Sequence, residues 1–156
     1  MQDALDALPD GAEATRTLER SYTLLFSGAG GPATVAPYES VFASNGGRLF
    51  GESEARMRTL LKHLDLHVAA GPGEPADHIA IECAVMAELP AGAPLRTDLA
   101  RRMAGWLGDF RDACGTFDES RFYAGAATIA AALARQEGPR PRFNSSHRNL
   151  SRGVIL

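Results

Sequence analysis

The stretch from Pro94 to Gly115 constrains the fold more than any other. It carries Leu99, Met103, Trp106, Leu107 and Phe110 at intervals of three to four positions, the period of one helix face. Two shorter runs share this period. Leu18, Tyr22, Leu25 and Phe26 mark a helix over Glu13 to Ser27, stopped by Gly28-Ala29-Gly30-Gly31-Pro32. Met57, Leu60, Leu61 and Leu64 mark another over Glu52 to Leu66, with Arg56, Arg58 and Lys62 on the opposite side. Pro75 suits the first turn of a helix running to about Leu89, with Ile79, Cys83, Met86 and Leu89 on its core face. A last helix follows an Asp118 cap and includes Phe122, Ala126, Ile129 and Leu133. Alternating β-branched runs are absent, so the expected class is all-α, a single-domain helical bundle.

At 156 residues and 45% apolar content the chain suffices for one core, not two. The expected division is a helical domain over 1–137 and a tail over 138–156, rich in Pro, Arg and Ser. That tail holds Arg140, Arg142, Arg148 and Arg152 without an acid, so residues 1–137 carry −7 by subtraction from the net −3. An acidic body favours a cationic partner. Asp3, Asp6 and Asp10 stand where an export signal needs positive charge, which gives a cytoplasmic expectation. No uninterrupted apolar run reaches the roughly 18 residues that cross a bilayer, so stable membrane insertion is not expected. Cys83 and Cys114 form no CxxC pair and read as small buried apolar residues.

Chemistry finds little support. His63 and His67 lie four apart, and His78 and Glu82 repeat the spacing beside Asp77, so a small helical metal-binding protein is an alternative. A third ligand is missing, and histidines near a helix end commonly serve the helix dipole. Ser40 and Ser53 lack a nucleophile elbow, and no glycine pair has the lysine of a phosphate loop. The tail arginines accompany one aromatic, Phe143, so nucleic acid is not an expected partner. No catalytic residue, metal or cofactor is assigned. Pro37-Tyr38-Glu39-Ser40-Val41-Phe42 reads as a connection between helices, either a packed staple or a binding surface, and Trp106, Phe110, Phe122 and Tyr123 read as core.

The segment Glu74-Pro75-Ala76-Asp77-His78-Ile79-Ala80-Ile81-Glu82 has the form Glu-Pro-x-Asp-His-x-x-x-Glu at a helix start. It resembles the signature of the TorD/DmsD/NarJ family of molybdoenzyme chaperones. Tyr22-x-x-Leu-Leu-Phe, Pro37-Tyr38-Glu39-Ser40-Val41-Phe42, Leu49-Phe50-Gly51, Trp106-x-x-x-Phe110 and Phe122-Tyr123 extend the resemblance over about Leu18 to Leu133. The Tyr-Glu-Ser-Val-Phe version is similar to the branch serving type II dimethyl sulfoxide reductase family enzymes. The resemblance implies a TorD-like helical bundle that is no enzyme. It implies a cytoplasmic chaperone holding an apo-molybdoenzyme catalytic subunit, and that subunit's twin-arginine leader, until molybdenum cofactor insertion.

A signal-independent assembly factor of the nitrate reductase type stays open beside that reading, as does a homodimer beside a monomer. Client contact is carried onto Pro37, Tyr38, Glu39, Ser40, Phe42, Glu74, Pro75, Asp77, His78 and Glu82. Guanidinium groups followed by an apolar segment need carboxylates beside an apolar groove, which these residues would supply. Arg102 stands where family members often carry a histidine.

Overall fold

The computed structural model describes residues 2–43, 47–68 and 73–137. Its longest element is α6, Pro94–Phe117, about 36 Å of helix at 1.5 Å per residue. Along it runs α7, Phe122–Glu137. Around this pair stand α1, Gln2–Asp6; α2, Ala12–Phe26; α3, Glu39–Ala43; α4, Glu52–His63; and α5, Ile79–Glu88. A 3₁₀ turn occupies Gly31–Ala33. No strand occurs among the described residues; one isolated antiparallel bridge joins Tyr38 to His78. The fold is all-α.

One core runs through the bundle. Helix α6 contributes the stripe seen in the sequence, Leu99, Met103, Trp106, Leu107 and Phe110, followed by Cys114, all buried. Leu25 of α2, Met57 and Leu61 of α4, Val85 and Leu89 at the end of α5, and Ala127, Ala131 and Ala134 of α7 close around it. The glycine-rich stop after α2 turns the chain back, so that Val35 N–H donates to the Leu25 carbonyl. Gly30 is required in that turn, because a Cβ there would lie 2.3 Å from the Leu24 carbonyl oxygen.

Several expectations are corrected. The segment around Glu39 is a short helix, not only a connection, because Asp77 caps its start. Helix α5 begins at Ile79, after Pro75, because the His78 side chain is its cap. Its buried face is Glu82 and Val85, while Cys83 is exposed. Helix α4 ends at His63 and not Leu66, and α6 runs through Gly115 to Phe117. Helix α7 is turned about its axis from the expected face: its alanines point inward, and Ile129 and Leu133 are exposed. Alanines let α6 and α7 approach closely, so close packing overrode side-chain size. Asp118 does cap α7, its carboxylate accepting the Ser120 and Ala124 N–H groups at 3.1 and 3.0 Å. The tail over 138–156 lies outside the described residues, as do Asn45 and Gly46 of the glycine-rich turn.

Candidate functional site

Two helix starts meet at the Asp-His pair. The Pro37–Glu39 backbone runs antiparallel to Asp77–Ile79: Glu39 N–H donates to the Asp77 carbonyl at 3.0 Å, and Ile79 N–H donates to the Pro37 carbonyl at 2.9 Å. Each side chain of the pair then satisfies a helix N-terminus. Asp77 Oδ2 accepts the Ser40 N–H of α3 at 2.7 Å. His78 Nδ1 accepts the Ala80 N–H of α5 at 3.0 Å. These are the donors a helix start leaves without intrahelical partners. With Nδ1 accepting, the neutral ring carries its proton on Nε2. Burial lowers the His78 pKa, and the carboxylates of Glu74 and Asp77 oppose that shift. Pro75, Ala76 and Asp77 are all buried beneath this junction.

Behind the junction lies a buried charge cluster. Arg102 of α6 reaches Glu39 with Nε at 3.3 Å and pairs with it again through Nη2, and the same Nη2 stands 3.6 Å from Glu82 Oε1. Trp106 Nε1 donates to Glu82 Oε2 at 3.2 Å. One guanidinium thus serves two carboxylates. Burial, then the Glu39 carboxylate to which it hydrogen-bonds, hold the Glu82 pKa well above the usual range; Arg102 and Trp106 oppose this. The Phe42 ring stacks on Trp106 with centroids 5.8 Å apart and meets Phe110 edge-on at the same separation.

Beside the junction opens an apolar cleft of about 410 Å³ between α2, α5 and α7. Phe110 of α6 forms part of its floor; Phe26, Tyr22 and Tyr123 line one side, and Ile79 and Cys83 the other. The Phe26 and Tyr123 rings meet edge-on at 5.3 Å, and Tyr123 Oη donates to the Leu18 carbonyl at 3.0 Å. Pro37 and the half-buried His78 line the end nearest Tyr38. There the Tyr38 ring stands edge-on to His78 at 5.1 Å, and its hydroxyl donates to Glu74 Oε1 at 2.8 Å. Partial burial, followed by the Glu74 hydrogen bond, raises the Tyr38 pKa to about 12. The phenol therefore stays protonated and donating.

The residues singled out in the sequence divide into three groups. Pro37, Tyr38, Glu74 and His78 meet at or beside the mouth of the cleft. Ser40, Pro75 and Asp77 lie buried beneath and hold the junction. Glu39, Glu82 and Phe42 face the interior, where Arg102, Trp106 and Phe110 engage them. Of the lining residues, Tyr22 and Phe26 were read only as a helix face and Cys83 and Tyr123 as core; Cys83 is exposed and Tyr123 half-buried. The signal for the Arg102 cluster was a lone arginine one turn before Trp106 on the apolar stripe, where charge implies a buried partner.

His63 is the last residue of α4 and His67 lies beyond it, so the two do not share a helix face. Glu82 turns its carboxylate toward Arg102 and Trp106. Among the described residues, no group of three or more His, Cys, Asp or Glu side chains is placed to hold a metal ion. No helix among them is long and apolar enough to cross a membrane.

A carboxylate and a phenol thus stand beside an apolar cleft. The family described as nitrate reductase delta subunit matches residues 1–112, and the chain belongs to that family, which comprises the TorD and NarJ chaperones. The chaperone protein TorD of Vibrio cholerae serotype O1 (strain M66-2) is 29% identical over 149 residues, covering 86% of this chain and 67% of that protein. The chaperone protein TorD of Shewanella loihica (strain ATCC BAA-1088 / PV-4) is 29% identical over 137 residues, covering 83% and 64%. That of Shewanella pealeana (strain ATCC 700345 / ANG-SQ1) is 31% identical over 106 residues, covering 62% and 48%. The matches thus span about two thirds or less of these relatives' own lengths. These relatives are named as chaperones. No solved structure gave a significant match.

Proposed function

We propose that this chain is a cytoplasmic chaperone that binds the apo form of a molybdoenzyme catalytic subunit, through its twin-arginine leader, and holds it until the molybdenum cofactor is inserted. The supporting observation is the Tyr38–Glu74 pair beside the mouth of the apolar cleft. A leader presents guanidinium groups and then an apolar helix-prone segment. Glu74 would take a guanidinium, with Tyr38 fixing the carboxylate, and the floor around Phe26 and Phe110 would take the apolar segment. Asp77, Ser40 and Pro75 act by holding that surface in place. The family membership and the TorD names of the relatives support the same reading. Glu39, Glu82 and Phe42, engaged inside the bundle, act on the client only through the shape of the junction.

The test is recovery of the tagged protein from its native cytoplasm, followed by titration with the leader peptide of whichever molybdoenzyme subunit comes with it. Glu74→Gln and Tyr38→Phe are each expected to weaken leader binding about tenfold, the worth of a charge-assisted hydrogen bond. Leader affinity unchanged in both variants would remove the surface from the proposal. A second reading, an assembly factor acting on the enzyme body, is favoured by the nitrate reductase delta subunit description. Its expected outcome is recovery of the subunit without leader binding.

A further inference from the structure

The stripe Phe122, Ala126, Ile129 and Leu133, which the sequence marks as a core face of α7, lies on the outside of the bundle. Ala126 is exposed, Ile129 and Leu133 are 45% and 56% exposed, and Phe122 is half-buried. The steps of four, three and four positions between them are those of a coiled-coil seam. No charge occurs from Phe122 to Ala134. A helix apolar on every side is one built to be covered on more than one face. Helix α6 covers one, against Ala127, Ala131 and Ala134. Charge stands only at the two ends of α7. Arg121, just before its start, is exposed and forms no ion pair among the described residues. Glu137, its last residue, accepts Arg96 at 2.9 Å and is held there.

We propose that two copies of this chain pair through this outward face, their α7 helices antiparallel about a twofold axis at Ile129. The face is complementary to itself when reversed. In that register Leu133 of one copy falls against Ala126 of the other, Phe122 against Gln136, and Arg121 against Glu137. Each large apolar residue away from the axis thus meets a smaller or polar one, as interdigitating seams require. Each end of the apolar stretch sets a guanidinium against a carboxylate, and a carboxylate has lone pairs enough for Arg96 and a second arginine. A parallel pairing would instead set Arg121 against Arg121 and Leu133 against Leu133. The antiparallel contact uses the same surface on both copies, so it closes at two and leaves no open end for further addition.

The test is sedimentation velocity on the full chain from about 1 to about 200 µM, where a monomer is expected to pass into a dimer with a Kd of about 10 µM, weak because one helix pair is smaller than a standard interface. Leu133→Glu, at an exposed position, is expected to raise that Kd at least about tenfold, because it buries a carboxylate against Ala126 of the second copy. Crosslinking reads the register without depending on a loss of affinity. In a Cys83→Ser chain, where the remaining Cys114 is buried, Ile129→Cys on the axis is expected to give a disulfide-linked dimer under mild oxidation. Thr128→Cys, exposed on another side of the same helix, is expected to stay monomeric. A chain that is monomeric over the whole range overturns the proposal. So does a dimer that Leu133→Glu leaves intact, or one that crosslinks equally from positions 128 and 129. No client takes part, so failed leader binding leaves this inference standing, and a monomer leaves the leader reading standing.

Discussion

The Asp77 carboxylate accepts the Ser40 N–H at 2.7 Å across 37 positions of sequence, while the carbonyl of Asp77 takes the Glu39 N–H at 3.0 Å. A single residue thus fixes where α3 starts and how it abuts α5. The neighbouring His78 caps α5 and presents its ring to Tyr38. The surface residues Tyr38 and Glu74 inherit their positions from this junction, so its stability and the proposed client affinity are separable by mutation.

Asp77→Ala removes a helix cap, the acceptor of the Ser40 N–H. The expected cost is about 2 kcal/mol, the upper end for a lost cap. Asp77→Asn retains an acceptor and should cost about 1 kcal/mol. Glu74→Gln, at an exposed position, should change stability by less than about 0.5 kcal/mol. Urea unfolding midpoints of the three variants check this order. An Asp77→Ala protein as stable as the original would show that the capping bond does not hold the junction.

Much of this arrangement was legible in the sequence. The α6 stripe specified its own core face because large apolar residues at helical spacing fit only one side. Helix α7 misled, because it is apolar nearly all round; alanine at 127, 131 and 134, and not size, decides which side α6 can approach. The start of α5 was misplaced because Pro75 suits a first helical turn, whereas the cap is a histidine, an uncommon residue in that role. The apolar cleft was illegible because its lining comes from α2, α5, α6 and α7, and only packing brings Tyr22, Cys83 and Tyr123 together.

His78 gives the junction a pH dependence whose sign follows from its environment. Burial lowers its pKa below the ordinary 6.5 in the folded chain, and protonation would also remove the acceptor used by Ala80. The unfolded chain then binds the proton more readily. The contribution of His78 to stability is present above 6.5 and is lost as the pH falls through the folded value. His78→Asn keeps a capping acceptor without the titration. Thermal midpoints from pH 8 to pH 5 should fall more steeply for the original than for His78→Asn, and parallel curves would contradict the assignment.

Glu82 acts with the opposite sign. Its folded pKa is raised, so its contribution is complete below the ordinary carboxylate value of 4.5 and is lost as the pH rises through the folded value. Glu82→Gln mimics the protonated form at every pH. The stability difference between the variant and the original should grow in favour of glutamine with rising pH, by at most about 1.4 kcal/mol per pH unit within the titration window. A difference independent of pH would mean that Glu82 is ionised beside Arg102 throughout.

Arg102 tests whether the buried charges act as one unit. Its side chain is 20% exposed, against 4% for Glu39 and 0% for Glu82, so removing it strands a carboxylate in a place water barely reaches. Arg102→Met should therefore cost about 3–5 kcal/mol, the range for breaking a buried pair from one side. If Glu39 is the charge left stranded, Glu39→Gln in the same chain should restore more than half of that loss, although each substitution alone is destabilising. The coupling energy from the double-mutant cycle is expected to exceed about 1.5 kcal/mol. Additive losses in urea would mean that Glu39 finds solvation elsewhere once Arg102 is gone.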